Sequence, residues 1–320
     1  MPVIAFDLGG TKLTAALFTD DGEILFSNKN ALEKRSGSEV GALICSQINR
    51  LLEKAAELEI KITSLGICVP GIAYADTGNV WAPNINGWDN YPLRNELETA
   101  LAGKNISVHI DSDRACYILG ELWKGNATGC SDAIYLAVGT GIGAGILVNG
   151  EILRGSHDIS GAIGWMALSR PYDEKYKSCG DFEYHASGEG IGKQANEILP
   201  PFSASILHGI KNKHITAKDV FEAAELGDEL AKKVLSNAIE YWGMAVANLV
   251  SLFNPEKIIF GGGVFGPALK FLDEIYNEAK KWAQPISIQQ VQLTGSALGT
   301  EAGLYGAGLL ALKNKPLRHV

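Results

Sequence analysis

The sequence lacks the segments that carry a chain into or across a membrane. Its first ten residues, MPVIAFDLGG, have no basic stretch followed by a long apolar run, so we expect no signal peptide. No run approaches the roughly 18 apolar residues that a membrane-spanning helix needs. The sequence therefore predicts a cytoplasmic protein with no membrane partner.

Basic residues and cysteines are also few. The 28 Lys and Arg residues face 36 Asp and Glu residues, and the net charge of −8 argues against nucleic acid as a partner. The cysteines show no pairing pattern, which indicates small buried side chains in a reducing compartment. They number five and are Cys45, Cys68, Cys116, Cys130 and Cys179.

Two stretches of the chain resemble each other, Val3–Leu25 and Ala133–Leu153. Each has the order strand, glycine-rich turn, strand, tight turn and GEIL, and the second copy is two residues shorter. Helices and a further glycine turn follow each copy, so we predict a duplicated α/β unit. Two such domains would enclose a cleft, which is the usual place for a ligand.

Hydrophobic spacing predicts the first elements, with strands over 3–8, 13–18, 24–28, 62–71 and 107–113 and helices over 38–58 and 115–125. Small residues over 297–313 predict a last helix. We predict a first domain of residues 1–117 with a C-terminal helix at about 306–320, a second domain of residues 118–305, and a hinge near residue 118.

Three glycine-rich turns are candidates for phosphate binding, at Gly9–Gly10, Gly139–Gly145 and Gly261–Gly263. The run GTGIGAG does not fit a dinucleotide-binding fingerprint, because a strand follows it where that fingerprint needs a helix. Glycine lets backbone N–H groups approach a ligand closely, and Thr11 and Thr140 add hydroxyls. The turns therefore predict a nucleoside triphosphate site.

Asp7 precedes the first turn by two residues, where its charge would repel a phosphate. A nucleoside triphosphate arrives with Mg²⁺, which prefers oxygen ligands and keeps several waters. We therefore predict that Asp7 holds the hydrated metal, whereas an Asp that only caps the turn is the alternative.

Phosphoryl transfer also needs a group that takes the proton of the acceptor hydroxyl. Asp111 and Asp113 end a predicted strand just before a predicted helix. Because one of them can serve as a helix N-cap, composition alone leaves open which of the two is catalytic.

Together these motifs resemble the ROK family of sugar kinases, repressors and related proteins over nearly the whole chain. The first phosphate motif is DLGGTK, the sugar-side loops are VPG at Val69–Gly71 and PNINGW at Pro83–Trp88, and the second phosphate motif is VGTGIGAGILVNGEILRG. FGGGV resembles the adenosine-side turn and LGTEAGLYGAGLLA the C-terminal helix. The resemblance implies a two-domain actin-like ATPase (ribonuclease H-like) fold of the α/β class.

The resemblance also implies ATP- and Mg²⁺-dependent transfer to a sugar hydroxyl, commonly O6 of a hexose. The family's NDANxAALGE aligns with SDRACYILGE, which assigns the base to Asp113. The implied ATP contacts are Gly9, Gly10, Thr11, Lys12, Gly139, Thr140, Gly141, Gly262 and Gly263. The implied substrate contacts are Gly71, Asn84, Ser112, Asp113, Trp165 and Glu183. Family members are often homodimers.

Several positions depart from the family pattern. Ser112 replaces an Asn, and GAIGW at Gly161–Trp165 replaces GEIGH, whose Glu and His bind sugar hydroxyls near C1 and C2. A hydroxyl buried against Ala162 would lose a partner, at about 1–3 kcal/mol. We therefore expect a sugar modified near C1 or C2, or replacement contacts. Trp165 is equally suited to stacking on a sugar ring or to core packing.

The family's zinc motif is missing as well, and SCGDFEYHASG at Ser178–Gly188 stands in its place. Cys179 and His185 are too few for a four-ligand zinc site, so we predict no zinc. Glu183 aligns with a sugar-contact Glu of the family, and His157 and His185 are candidates for replacement contacts.

The leading hypothesis is thus a carbohydrate kinase with an unusual sugar pocket. A sugar-binding regulator without useful catalysis is the second hypothesis, and another actin-like ATPase is the third. Because the phosphate motif begins at residue 7, we expect no N-terminal DNA-binding domain of the kind that the family's repressors carry, and Asp113 is retained.

Overall fold

The computed structural model describes residues 1–202, 204–210 and 214–313. The described chain forms two compact units. Unit 1 contains Met1–Gly129, Leu153–Ser160 and the chain from Ala297 onward, and unit 2 contains Cys130–Ile152 and Gly161–Ser296.

Unit 1 is built on a five-stranded sheet with the order β3-β2-β1-β4-β7. Strands β1 to β3 form an antiparallel meander, and β4 and β7 continue the sheet in parallel with β1. The strands are β1 (Val3–Leu8), β2 (Lys12–Phe18), β3 (Ile24–Ala31), β4 (Ser64–Val69) and β7 (Ser107–Ser112), and a two-stranded sheet pairs β5 (Ile72–Ala73) with β6 (Val80–Trp81).

Three of the helices of unit 1 have one apolar face, and the last one, Ala302–Leu312, is apolar around most of its surface and is largely buried. In α1, Ile44, Ile48 and Leu51 recur at helical spacing and are buried against the sheet, as the sequence predicted. The helices of this unit are α1 (Ser38–Glu57), α2 (Leu93–Ala100), α3 (Asp113–Lys124) and α9 (Ala302–Leu312).

Unit 2 repeats the same sheet, with the order β10-β9-β8-β11-β12. Strands β8 to β10 form an antiparallel meander, and β11 and β12 run parallel to β8. The identical order and directions confirm the predicted duplication of an α/β unit. The strands are β8 (Ala133–Val138), β9 (Ile142–Val148), β10 (Glu151–Ile152), β11 (Lys257–Gly261) and β12 (Gln292–Gly295).

The core of unit 2 lies around α7, whose buried positions include Trp242. Trp242 donates a hydrogen bond from its indole Nε1 to the Ala186 carbonyl oxygen (3.0 Å), which ties α7 (Glu229–Phe253) to the short helix α4 (Asp181–Ala186). The helices are α4 (Asp181–Ala186), α5 (Gly188–Ile198), α6 (Ala217–Glu225), α7 (Glu229–Phe253) and α8 (Leu272–Ala279).

The division of the chain differs from the predicted one in detail. Residue 118 lies inside the uninterrupted helix α3, and unit 1 continues to Gly129. The segment Leu153–Ser160 also belongs to unit 1, because Arg154 pairs with Asp111 and the Asp158 carboxylate accepts a hydrogen bond from the Ala75 N–H (3.0 Å).

The last helix packs within unit 1. A Cβ at Gly306 would lie 1.8 Å from the Cys116 carbonyl oxygen, and a Cβ at Gly66 would lie 2.0 Å from the Ala307 carbonyl oxygen. Glycine at these positions allows α9 to contact α3 and β4 backbone to backbone. Residues 314–320 of the predicted C-terminal helix lie outside the described residues.

In the part of the chain that the structure describes, no helix has the length and apolar character needed to cross a membrane.

Candidate active site

The first glycine turn joins β1 to β2, and Asp7 lies at the end of β1. The Gly9 N–H donates to the Lys12 carbonyl oxygen (2.9 Å), which closes the turn, and Thr11 and Lys12 are exposed. Burial raises the pKa of Asp7, while the Cys68 thiol and the Lys12 ammonium lower it in part. A poorly solvated carboxylate of this kind is stabilised in its ionised form by a cation brought with a ligand.

Helix α9 leaves room for this carboxylate. A Cβ at Gly303 would lie 2.9 Å from Asp7 Oδ1 and 3.2 Å from Cys68 Sγ. A larger residue at 303 would therefore displace the Asp7 side chain.

Asp113 is the first residue of α3, directly after the end of β7. The side chain is half-buried, and its Oδ1 accepts a hydrogen bond from the Arg114 N–H (2.8 Å). Burial raises the pKa of Asp113 to about 6; the Arg114 charge lowers this pKa in part, and the nearby Asp7 raises it further. A carboxyl group with a pKa near working pH suits proton transfer.

Asp111, the second candidate base, is committed to an ion pair. Both of its oxygens contact the Arg154 guanidinium, at 2.8 Å and 2.6 Å, and Oδ1 also accepts from the Ser112 N–H (2.8 Å). Ser112 is the N-cap of α3, and its hydroxyl accepts from the Ala115 N–H (3.4 Å). Of the two carboxylates, Asp113 is thus the one without an Arg partner in a salt bridge.

Two of the predicted substrate-side residues also lie in unit 1. Gly71 has φ +84°, and a Cβ there would lie 2.1 Å from the Trp81 carbonyl oxygen, so only glycine fits this turn. Asn84 is exposed and lies beside the first turn, since a Cβ at Gly10 would be 3.1 Å from the Asn84 Cβ. Trp88 of the same loop is buried and donates to the Gly37 carbonyl oxygen (3.0 Å), so its role is structural.

The second glycine turn joins β8 to β9 in unit 2. The Gly139 N–H donates to the Gly141 carbonyl oxygen (2.9 Å). The start of α5 supports the turn from outside, because the Gly188 N–H donates to the Gly139 carbonyl oxygen (2.8 Å) and the Glu189 N–H to that of Thr140 (3.3 Å).

Glu183 lies against this second turn. Its Oε2 accepts a hydrogen bond from the Ile142 N–H (2.6 Å), and a Cβ at Gly141 would lie 2.6 Å from the same oxygen. Burial raises the pKa of Glu183, and the Ile142 hydrogen bond lowers it in part. The carboxylate therefore holds the turn whatever further contact it makes.

The third turn follows β11. Gly262 has φ +87°, and a Cβ there would lie 2.4 Å from the Val138 carbonyl oxygen. Gly262 and Gly263 are exposed, so they lie at the surface of unit 2 next to the end of β8.

Trp165 ends a short 3₁₀ helix, Ile163–Trp165, that follows Ala162. Its side chain is 59% exposed, which excludes core packing and leaves the indole face accessible. Ala162 is half-buried and has no polar side chain to offer a ligand.

The segment in place of the zinc motif is held by side-chain contacts. His185 stacks on Tyr241 with ring centroids 4.5 Å apart, and its Nε2 lies 3.0 Å from the Tyr176 hydroxyl. His185 is thus a packed side chain, whereas His157 is exposed on the segment Leu153–Ser160. Within the described ranges no group of three or more His, Cys, Asp or Glu residues is arranged to hold a metal ion. The absence of zinc remains a prediction.

Sequence reasoning missed Arg114 and Arg154. Arg114 donates from Nη2 to the Gly71 carbonyl oxygen (3.2 Å) and so links the start of α3, next to Asp113, to the turn at Gly71. An Arg directly after Asp113 was a visible signal, because the family pattern has Ala there. Arg154 is 43 residues from Asp111, and no local pattern indicates that pairing.

Unit 1 therefore brings together two carboxylates, Asp7 and Asp113, with raised pKa values, beside a glycine turn. Unit 2 presents glycine turns with backbone groups and one anchored carboxylate, Glu183. Such residues can bind phosphates, bind a cation and accept a proton from a hydroxyl.

Comparison with known proteins agrees with this chemistry. A sequence profile of the ROK family matches residues 3–314. A glucokinase from Halalkalibacterium halodurans is 35% identical over 317 residues, covering 96% of this chain and 94% of the relative. A xylose repressor from Caldicellulosiruptor bescii is 30% identical over 298 residues, covering 88% of this chain and 71% of the relative.

Among solved structures, a ROK family glucokinase from Streptomyces griseus in complex with glucose and AMPPNP has a TM-score of 0.73. It is 26% identical, and the match covers 98% of this chain and 100% of that one. The predicted α/β fold of the actin-like ATPase type is confirmed by this likeness and by the repeated sheets.

Proposed function

The chain belongs to the ROK family, and from that premise we propose that it is an ATP-dependent sugar kinase. In this proposal the γ-phosphate of Mg-ATP passes to a hydroxyl, O6, of a hexose or a hexose derivative. The glucokinase relative and the glucose and AMPPNP complex of the Streptomyces griseus enzyme support it. The observation that carries it is Asp113, a carboxyl with a pKa of about 6 at the start of α3.

Asp113 acts as the general base. It takes the hydroxyl proton while the sugar oxygen forms a bond to the γ-phosphorus and the bond from that phosphorus to the β,γ-bridging oxygen breaks. The leaving group is ADP, and the proton ends on Asp113 Oδ. The Arg114 charge lowers the pKa of Asp113 in part, so a larger fraction of the base is ionised at neutral pH.

The residues around Asp7 fit the Mg²⁺ of Mg-ATP, because Asp7 is a half-buried carboxylate whose ionised form is disfavoured by loss of solvation. Asp7 would hold the hydrated ion, and bound Mg²⁺ would neutralise phosphate charge. The phosphates are held by Gly9, Gly10, Thr11 and Lys12 in unit 1 and by Gly139, Thr140 and Gly141 in unit 2. Gly262 and Gly263 bind the adenosine side.

The sugar contacts in this proposal are Gly71, Asn84, Ser112, Asp113, Trp165 and Glu183. Ala162 offers no hydrogen bond where the family pattern has Glu, and the exposed indole of Trp165 offers an apolar face. Glucose is the default substrate of this proposal, and this pair makes a sugar modified near C1 or C2, such as an N-acylated hexosamine or a glycoside, its rival.

A sugar-binding regulator of the same family is the second candidate. The 30% identity to a xylose repressor supports it. Both hypotheses predict sugar binding, and only the kinase hypothesis predicts turnover of ATP that depends on Asp113.

The proposal also includes four properties of the whole protein. It is located in the cytoplasm, forms a homodimer, has no nucleic-acid partner and holds no zinc.

The test is release of ADP from Mg-ATP over a panel of aldohexoses, ketohexoses, N-acetylhexosamines and disaccharides. We expect turnover with at least one sugar, and the best substrate reports what Ala162 and Trp165 accommodate. Sugar binding measured by calorimetry without turnover across the panel would favour the regulator instead.

A further inference from the structure

Asp181, the first residue of α4, is a buried carboxylate that binds a neighbouring segment. Its side chain is 6% exposed. Oδ2 accepts hydrogen bonds from the Leu168 N–H (2.7 Å) and the Ser169 N–H (2.8 Å), and Oδ1 accepts from the Ser169 hydroxyl (2.9 Å). Three donors of one short stretch thus converge on one side chain.

Backbone contacts continue this attachment toward Trp165. The Phe182 N–H donates to the Met166 carbonyl oxygen (3.3 Å). Gly180 has φ +87°, and a Cβ there would lie 2.5 Å from the Trp165 Cα and 2.4 Å from the Gly164 carbonyl oxygen. Residues 164–169 therefore lie directly against residues 180–182.

Two aromatic side chains, Tyr241 and His185, also contact the Asp181 carboxylate. The Tyr241 hydroxyl donates to Asp181 Oδ1 (3.4 Å), and His185 Nε2 lies 3.5 Å from the same oxygen. Burial lowers the pKa of His185, and its ring stacks on Tyr241. The groups that donate to the Asp181 oxygens are thus backbone N–H groups and hydroxyls.

We propose that Asp181 is a positioning residue for sugar recognition, which fixes the segment Gly161–Ser169 so that the exposed Trp165 indole faces a pyranose ring. The proposal rests on the proposed function. These contacts fix the backbone that carries the Trp165 indole, while the indole itself is 59% exposed and keeps an open face. A fixed aromatic face binds a sugar at a lower entropic cost than a mobile one.

Asp228 provides a matched control in the same unit. It is also a buried aspartate, and it accepts from the Ser205 hydroxyl (2.8 Å), the Ile206 N–H (2.7 Å) and the Ala231 N–H (2.9 Å). Its contacts are of the same kind as those of Asp181, but they fasten a segment that is separate from Gly161–Ser169.

The experiment compares Asp181→Asn with Asp228→Asn, using the best sugar of the panel. Asn keeps the shape of the side chain but replaces one acceptor oxygen with an NH₂ group, so either the two backbone N–H groups or the Ser169 and Tyr241 hydroxyls lose their acceptor. We expect Asp181→Asn to raise the sugar KM, and the sugar Kd from calorimetry, by roughly 3-fold, which is less than the loss of the Trp165 indole itself would cost, with the KM for ATP unchanged. Ser169→Ala removes one donor and should shift both constants in the same direction by less, which covers the case that Asp181→Asn does not fold.

Equal sugar constants in Asp181→Asn and Asp228→Asn would overturn the inference, as would a rise in the KM for ATP equal to that for sugar. In either case wild-type turnover would leave the proposed function intact. A wild-type protein that neither binds nor phosphorylates any sugar of the panel would overturn both.

Discussion

The two glycine hairpins have the same topology but different chemistry. Asp7 of β1 pairs with Thr14 on one side and Cys68 on the other, and Ala137 of β8 pairs in the same way with Gly143 and Gly261. One copy of the repeat thus carries an acid where the other carries a methyl group. The duplicated scaffold gives two glycine turns, whereas the charged groups of the proposed reaction belong to one copy.

The turns also differ in how they are held. In unit 1 the Gly9 N–H reaches the Lys12 carbonyl, while in unit 2 the Gly139 N–H reaches that of Gly141 one residue sooner. The tighter second turn is supported by Glu183 and by the start of α5. The geometry of the second turn is therefore fixed by residues outside the turn, Glu183 and the start of α5.

Among substitutions in the two hairpins, the largest loss of activity is expected from Asp7→Ala, which makes the first hairpin like the second. Loss of the cation-binding carboxylate should lower kcat with Mg-ATP on the order of 100-fold. Steady-state kinetics over a range of Mg²⁺ concentrations measures this. Ala16→Gly, a buried change in β2 of the same sheet, is the control for simple loss of stability. A wild-type rate in Asp7→Ala would remove Asp7 from the site.

The acid limb of the pH profile should report Asp113. Its pKa of about 6 predicts that kcat/KM falls about tenfold per pH unit once the pH drops below that value. Protonation removes the base, so activity is lost toward acid and retained toward neutral pH. A flat profile between pH 5 and 7, in a protein that stays folded, would contradict the assignment.

The same raised pKa makes the stability of the fold fall as the pH rises, whereas the activity falls as the pH drops. Burial favours protonated Asp113, so this carboxyl stabilises the fold at low pH, and that contribution is lost as the pH rises through about 6. Asp113→Asn should therefore have a higher Tm than wild type at pH 7.5, and the difference should shrink at pH 4.5. Thermal unfolding at the two pH values measures it.

A smaller effect is expected from two substitutions in the second turn. A Cβ at Gly141 would lie 2.6 Å from Glu183 Oε2, whereas a Cβ at Gly139 meets no atom within 4 Å. Gly141→Ala should displace Glu183, destabilise unit 2 by about 1–3 kcal/mol and raise the KM for ATP. Gly139→Ala is the matched control for stability in urea unfolding, whereas the KM for ATP of Gly141→Ala is compared with that of wild type, because Gly139 is itself a proposed phosphate contact. Equal behaviour would mean that Glu183 does not hold the turn.

The smallest effect is expected from Trp165→Ala. Because the indole is 59% exposed, the Tm should stay within error of the wild-type value. Sugar binding should weaken by about tenfold at most, since one stacking contact is worth roughly 1 kcal/mol. Calorimetry with the best sugar measures the change in Kd. Unchanged binding would leave Trp165 without a role.

Local sequence patterns predicted the parts of the fold that local physics determines. The β1–β2 hairpin and helix α1 follow from alternation and from helical spacing, and α1 ends at Glu57, one residue before the predicted end. The short strands β5 and β6 and helix α2 were not predicted, because their two to eight residues carry too little periodic signal.

Contacts between distant residues were beyond such patterns. The segment Leu153–Ser160 belongs to unit 1 through Arg154 and Asp158, although it follows β10 of unit 2. The commitment of Asp111 to Arg154 likewise depends on this return of the chain. Only the family resemblance assigned the base to Asp113, since the spacing of the two carboxylates was compatible with either.

The most direct test of the central claim is sugar-dependent ADP release by wild type and Asp113→Asn, with sugar binding measured by calorimetry on the same preparations. We predict a loss of kcat on the order of 1,000-fold in the variant with sugar affinity retained. Equal turnover in the two proteins, at equal sugar affinity, would contradict the assignment of Asp113 as the base and with it the proposed mechanism.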